Sequence, residues 1–367
     1  MKSLLFTIEF PPQKGGISTY YKNICEYLSA KKISVLTSQE ANERDFDNEQ
    51  RYKIYRKKLI STLPIWPKWI SSFFHLWRTI KKEKIDIILV GQILPLGTVA
   101  YIYKKLFNLP YGVFIHGMDI QMAKQNKRKV KLCNTILNNA KFIIVNSNYT
   151  ESLVLEQGID ENKIIVVYPC VSNSAQIDTN FKTKRHEKTL LTIGRLVKRK
   201  GHDMVIKTLP KIIKKFPKIE YIIAGDGPDK KYLENLAIEY QVDKYVKFLG
   251  KVSDSVRNNL LSECNIFIMP SREIKGDVEG FGIVYLEAGL YKKPVIAGKS
   301  GGVVEAVIDG QTGILVNPED VNDIANAVIK ILTNNTLANK FGVQGRERVL
   351  NKFTKEKQIG KIENLLK

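Results

Sequence analysis

Two glutamates eight positions apart, Glu279 and Glu287, are the residues of this chain best spaced to act on one ligand. Glu279 lies in the glycine-rich turn Asp277-Val278-Glu279-Gly280-Phe281-Gly282, and Glu287 lies on the helix that Ile283-Val284-Tyr285-Leu286 opens. Gly280 and Gly282 let the backbone pass close to a ligand, and the helix start leaves amide N–H groups without intrahelical partners. Phe281, Gly282, Ile283 and Val284 thus frame a site for an anion, a phosphate or diphosphate. Glu279 stands near where a polyhydroxylated group on that diphosphate would lie. About two turns along, Glu287 can accept hydrogen bonds from a second polyol such as a ribose. The same stretch also suits a plain amphipathic helix whose start favours carboxylates.

Cations for such an anion come from Gly194-Arg195-Leu196-Val197-Lys198-Arg199-Lys200-Gly201. Arg195 offers a bidentate fork and Lys200 a mobile point charge, and together they can stabilise a departing diphosphate. Lys198 and Arg199 read as solvated neighbours. His116, in His116-Gly117-Met118-Asp119 at a strand end, can hydrogen-bond a hydroxyl; it also suits a buried cap on a sheet edge. Asp119 can cap the helix that follows. Gly15 and Gly16 follow the first strand and precede a helix, a common device for close approach to a phosphate or sugar. Gly225, in Ala224-Gly225-Asp226-Gly227-Pro228, fits either pure turn chemistry or a ligand wall.

These residues need elements to hold them. Short apolar runs alternate with helical patterns. In the first half the predicted strands are Leu4–Ile8, Ser34–Thr37, Ile85–Val90, Gly112–His116, Phe142–Asn146 and Ile164–Tyr168. In the second half they are Thr189–Ile193, Glu220–Ala224, Val246–Leu249, Ile266–Met269, Pro294–Ala297 and Gly313–Val316. Alternation of this kind means parallel sheets covered by helices on both faces. A length of 367 residues exceeds one ordinary core, so two doubly wound α/β domains are expected, over residues 1–172 and 186–353, joined by the polar segment Ser172–Lys188. Ligands bind at the carboxyl ends of such strands, which places a cleft between the two domains. Gln39–Gln50 reads as a solvated polar loop, and its Asp45-Phe46-Asp47 as no metal site.

The paired glutamates with Glu-Gly-Phe-Gly and Leu-Glu-Ala, the Gly-Arg-…-Lys-Gly loop and the first Gly-Gly resemble retaining GT-B glycosyltransferases of family 4. The first Gly-Gly phrase is most like that of bacterial phosphatidylinositol mannosyltransferases. The resemblance spans Phe10 to Asn317. It implies that Arg195 and Lys200 clamp the diphosphate and that Glu279 and His116 hold the transferred hexose. It also implies that Gly15, Gly16, Gly194 and Gly225 line the donor site, and that Lys251 and Val252 lie beside the nucleotide base. Gly301-Gly302-Val303-Val304-Glu305 matches a family segment that scaffolds the cleft wall, and Asn146-Ser147-Asn148-Tyr149-Thr150 another landmark. A terminal helix over residues 354–367 packing back onto the first domain is implied the same way. The chain departs from the family at Tyr168-Pro169-Cys170-Val171-Ser172, which lacks the usual glycine and aspartate. The expected activity is metal-independent, retaining hexosyl transfer without a cofactor, with GDP-mannose as donor and a lipid-linked or surface-polysaccharide acceptor. UDP-hexose donors, a UDP-sugar epimerase and a non-catalytic basic module are the alternatives.

The net charge of +21 attracts polyanions. No ribonucleoprotein signature, zinc-finger spacing or helix-turn-helix unit accompanies it, which argues against nucleic acid. Four scattered cysteines give neither a disulfide scaffold nor a zinc site, and point to a reducing cytoplasm. No apolar run approaches the ~20 residues that span a bilayer, and the first residues read as a strand rather than a secretory signal. Leu63–Lys84 holds all three tryptophans, Trp66, Trp69 and Trp77, with Phe73, Phe74 and, after them, Arg78, Lys81 and Lys82. The stripe Trp69–Phe73–Trp77 suits an anionic membrane surface or the core of a doubly wound domain. Lys124–Lys131 adds a second basic cluster. A peripheral position on the cytoplasmic face of the inner membrane follows as the expectation.

Overall fold

The computed structural model describes residues 1–13, 15–41, 43–61, 66–124, 126–171 and 188–367. Lys14, residues 63–65 of the aromatic segment and residues 172–187 of the expected connection lie outside the described residues. The chain forms two compact units, one of residues 1–170 with 355–367, the other of residues 171–354.

Unit 1 holds β1 (Ser3–Phe6), β2 (Ile33–Thr37), β3 (Lys53–Arg56), β4 (Ile87–Val90), β5 (Tyr111–Ile115), β6 (Phe142–Val145) and β7 (Ile164–Val166), in the order β3-β2-β1-β4-β5-β6-β7. Every pairing in it is parallel. The inner strands β1, β2, β4, β5 and β6 are buried along their whole length, as strands covered on both faces must be. The helix Lys355–Leu365 belongs to this unit: Ile359 and Ile362 enter the core with Tyr20 and Ile24, and Gln358 Oε1 accepts from Tyr168 N at 3.0 Å.

Unit 2 holds β8 (Lys188–Ile193), β9 (Ile219–Ala224), β10 (Val246–Gly250), β11 (Ile266–Met269), β12 (Val295–Gly298) and β13 (Gly313–Val316), in the parallel order β10-β9-β8-β11-β12-β13. In each sheet the strand order reverses once, between β1 and β4 and between β8 and β11. At such a reversal the two loops leaving the carboxyl ends diverge and open a crevice. In unit 2 those loops are the ones carrying Arg195–Lys200 and Glu279.

The expected strands all form, and two elements correct the reading around Gln39–Gln50. Residues Glu43–Asn48 are helical rather than a loop, and β3 adds an edge strand that was not expected. The pair between them explains both. Asp47 takes a bidentate contact from Arg56 of β3, Nη2 to Oδ1 at 2.8 Å and Nε to Oδ2 at 3.1 Å, while Phe46 meets Phe10 edge-on at 6.1 Å.

Candidate active site

Lys200 and Arg199 both donate to one oxygen of Glu279, Oε2, the Arg199 Nη1 bond measuring 2.5 Å. The Arg199 Nε approaches Asp277 Oδ1 to 2.9 Å, but without the angle of a hydrogen bond. Burial pushes the Glu279 carboxyl up; Lys200 and then Arg199 outweigh it and hold the pKa at about 2. Arg199 is therefore no solvated neighbour, which corrects the sequence reading. Its partners lie 78 and 80 positions away, a distance no local pattern reports. Lys198 is exposed as expected. Arg195 is exposed and has no ion pair among the described residues; its backbone carbonyl accepts from His202 Nε2 at 3.3 Å. Burial holds His202 near 4, so it stays neutral, and its Nδ1 is buried without a partner.

A second ion pair underlies the clamp. Arg272, just beyond β11, forks onto Asp203 at 3.1 and 2.8 Å, and both residues are buried. The Arg272 backbone N–H bonds the Arg199 carbonyl at 2.8 Å. Arg272 thus ties the segment after β11 to the helix His202–Ile213 through its side chain and to the loop after β8 through its backbone. Sequence reasoning missed the pair, because neither residue stands in a recognisable motif.

The glycines divide into two kinds. Gly201 and Gly282 adopt φ of 75° and 89°, and a Cβ on Gly201 would lie 2.2 Å from the Pro270 carbonyl oxygen. A Cβ on Gly225 would lie 1.9 Å from the Gly194 carbonyl oxygen, so the two loops after β8 and β9 cross at backbone contact. Gly302 N donates to the Glu279 carbonyl at 3.0 Å, which gives Gly301-Gly302 the task of backing the glutamate turn. Gly15 differs: its φ of 170° is extended backbone, and nothing lies within 4 Å of a Cβ placed there. Gly16 begins the helix Gly16–Tyr27.

Gly282 caps the helix Ile283–Leu290, and Phe281 beside it is buried against Phe353. Val284 is buried and Ile283 half-buried. Glu287 lies on the second turn, where Arg257 Nη1 approaches Oε1 to 3.5 Å; burial raises the pKa of Glu287 and Arg257 opposes the rise. Lys251 is exposed and Val252 half-buried, just beyond the end of β10 at Gly250.

In unit 1, Tyr21 O–H donates to the Gly91 carbonyl at 2.5 Å, so its oxygen accepts from His116 Nε2 at 2.7 Å. That fixes the Nε2–H tautomer and leaves Nδ1 as an acceptor. Burial holds the His116 pKa at about 4, so the ring is neutral at physiological pH. Asp119 accepts from the His116 backbone N–H at 3.3 Å, and burial lifts its pKa to about 6. Tyr21 was not singled out in the sequence; it reads there as one more aromatic on a helix.

Two family descriptions cover the chain almost end to end: Glycosyltransferase Family 4 over residues 14–174 and Glycosyl transferases group 1 over residues 174–348. The chain belongs to these glycosyltransferases. Among curated relatives, the glycosyltransferase is 28% identical over 100% of its length and 97% of the relative's to a GDP-mannose-dependent monoacylated alpha-(1-6)-phosphatidylinositol monomannoside mannosyltransferase of Corynebacterium glutamicum. It is 27% identical to a GDP-mannose-dependent alpha-(1-6)-phosphatidylinositol monomannoside mannosyltransferase of Mycolicibacterium smegmatis, over 99% and 97% of the two chains. The solved structure of Anabaena HepE in complex with UDP and glucose superposes with a TM-score of 0.84 at 18% identity, covering 100% and 99% of the two chains. That likeness gives the fold, GT-B.

On the glycosyltransferase's surface, the helix Ile70–Glu83 turns Ile70, Phe74 and Trp77 outward, and Trp66 ahead of it is 86% exposed. The stripe divides between the two readings: Trp69 and Phe73 pack against the unit 1 core, and Trp77 faces outward. Beneath that face Phe73 packs tilted against buried Tyr103 at 4.8 Å between ring centroids, and Tyr103 against exposed Phe107 at 5.2 Å. Lys81 lies 4.6 Å from the Trp77 ring centroid, a cation on the rim of this face. Lys124, of the second basic cluster, pairs with Glu156 at 2.8 Å. Among the described residues no helix is long and apolar enough to cross a membrane.

Proposed function

We propose that this glycosyltransferase moves a hexose from a nucleotide sugar to a lipid-linked or surface-polysaccharide acceptor with retention of configuration, and that the donor is GDP-mannose. The observation that carries the reading is the convergence of Lys200 and Arg199 on Glu279, beside a helix N-terminus opened by Gly282. Lysine and arginine side chains next to the amide N–H groups of a helix start suit a diphosphate. Lys200 and exposed Arg195 take the diphosphate as it leaves, Gly194, Gly225, Phe281 and the amides of Gly282 to Val284 line it, and Glu279 holds hexose hydroxyls. Glu287 takes the ribose, and Lys251 and Val252 lie beside the base. The open space at Gly15, with Gly16 beside it, is room that the protein's own packing does not use. His116 Nδ1 accepts from a hexose hydroxyl. The bond from the anomeric carbon to the diphosphate oxygen breaks, the acceptor oxygen bonds that carbon on the same face, and its proton passes to the departing diphosphate. Arg195, Lys200 and the helix start supply the charge, so the reading needs neither metal nor cofactor.

GDP-mannose is favoured because both mannosyltransferase relatives named above match over nearly their full lengths. A UDP-hexose is the second reading, supported by the UDP and glucose of the HepE complex. Titration of GDP-mannose, UDP-glucose, UDP-galactose and UDP-N-acetylglucosamine without metal, against wild type and Arg195→Ala, separates them. One donor should bind tightly and lose affinity in the variant; no binding to any overturns the reading. Release of free epimer without an acceptor product would indicate an epimerase instead.

The exposed apolar face of Trp66, Ile70, Phe74, Trp77 and Phe107, with the net charge of +21, supports docking on an anionic membrane from the cytoplasmic side. Vesicles containing phosphatidylglycerol should co-sediment the wild type and release a Trp66→Ser/Phe74→Ser variant; equal sedimentation of both would sink this part.

A further inference from the structure

We infer that Arg199 is a positioning residue whose task is to hold Glu279 in place when the donor diphosphate draws Lys200 away. The inference rests on the reading of Lys200 as a diphosphate ligand. Both cations share a single carboxylate oxygen. Lys200 cannot serve that oxygen fully and a diphosphate as well, because its flexible stem carries one point charge. Once it turns to the phosphate oxygens, Glu279 would be a buried carboxylate with its main counter-charge removed, and repulsion from the incoming anion would turn it out of place. Arg199 prevents this. Its guanidinium is held by Glu279 and by Asp277 on the same turn, and its backbone carbonyl accepts from the backbone N–H of Arg272, whose side chain is locked to Asp203.

The shape of the turn supports the same role. Lys275 and Gly276 have φ of 52° and 81° between the bridged pair Ile274 and Asp277, which folds the loop back so that Asp277 and Glu279 present carboxylates to the one guanidinium. A planar fork meets the two carboxylates from different edges in a fixed geometry, whereas a lysine ammonium is a point charge on a flexible stem. The groups facing Glu279 are Lys200, Arg199, Asp277 on its own turn and the Tyr285 phenol from the helix that follows. Of these, Arg199 alone stays cationic and unclaimed by the donor.

The test compares Arg199→Gln with Arg199→Lys. Binding of the nucleoside diphosphate without its sugar should stay within about twofold of wild type in both, since Arg195 and Lys200 remain. Hexose transfer by Arg199→Gln should fall about 10²-fold in kcat, the scale of a displaced reacting group, with Arg199→Lys recovering part of it. The acid limb of its pH–rate profile should move to higher pH, because Glu279 loses a cation that keeps it ionised. Wild-type kcat and an unmoved acid limb in Arg199→Gln would overturn the inference. So would parallel loss of diphosphate binding and melting temperature, which marks a scaffold residue. If wild type itself binds no nucleotide, the reading of Lys200 fails instead.

Discussion

Two regions of this glycosyltransferase present candidate ligand groups at the carboxyl ends of parallel strands, and they are built on opposite electrostatic principles. Around Glu279 in unit 2, ion pairs set the geometry: Lys200 and Arg199 on one carboxylate, Arg272 on Asp203 beneath. Around His116 in unit 1, a neutral imidazole is aimed by a phenol that is itself tied to a backbone carbonyl. Paired charges that can exchange partners suit a ligand that brings charge and carries it away. A neutral acceptor atom, kept neutral by burial, suits a hydroxyl, which is read by direction rather than by attraction. The difference teaches that one fold used twice can be divided by chemistry rather than by shape.

The comparison is broken most severely at the buried pair. Arg272→Ala strands the Asp203 carboxylate and should cost about 3–5 kcal/mol of stability, read by denaturant unfolding; a loss near zero would show that the pair does not frame the clamp. Lys200→Ala should leave the fold intact and lower hexose transfer by about 10²–10³-fold, the cost of removing one stabiliser of a developing anion. A full rate in that variant would remove the charged region from the chemistry. The histidines sharpen the contrast through pH. His116 and His202 have folded pKa values of about 4, below the ordinary 6.5, so the unfolded chain binds more protons between those values. Their contribution to stability should therefore fall as pH drops from 6.5 towards 4, by about 1–3 kcal/mol for each histidine, while Asp119, lifted to about 6, is protonated in the folded state first and offsets part of that loss. Denaturation midpoints of wild type should fall more steeply across that range than those of His202→Asn, and parallel curves would contradict it. The smallest effect belongs to Tyr21→Phe, which removes the hydrogen bonds to the Gly91 carbonyl and from His116 and frees the His116 tautomer. Transfer should fall less than about tenfold, with a change in the imidazole nitrogen shifts by NMR. Unchanged shifts would mean that the phenol does not aim the ring.

What the sequence made legible was whatever local pattern controls. Apolar runs between glycine turns gave the inner strands, because burial on both faces leaves no alternation to confuse. The glycine turns and the spacing of Glu279 and Glu287 were readable because helix starts and tight turns are written within a few residues. The edge strand β3 was not, since Lys53-Ile54-Tyr55-Arg56 is four residues with a charge at each end and has one neighbour only. The helix Glu43–Asn48 buries no residue and so has no stripe to detect. Arg199 illustrates the deeper limit. Among Lys198, Arg199 and Lys200, nothing local distinguishes the guanidinium that pairs from the ammonium left in water; the fold makes that choice by bringing up Asp277 and Glu279.

The helix Lys355–Leu365 carries one more consequence, for the order in which the molecule can be made. Unit 1 is assembled from residues 1–170 and 355–367, and the Met1 ammonium bonds the Leu366 carbonyl at 3.0 Å. On the ribosome, the sheet begun first must wait with Tyr20 and Ile24 uncovered while all of unit 2 is synthesised. The domain translated second is thus the first able to finish folding, and the earlier one closes only when Ile359 and Ile362 emerge to seal it.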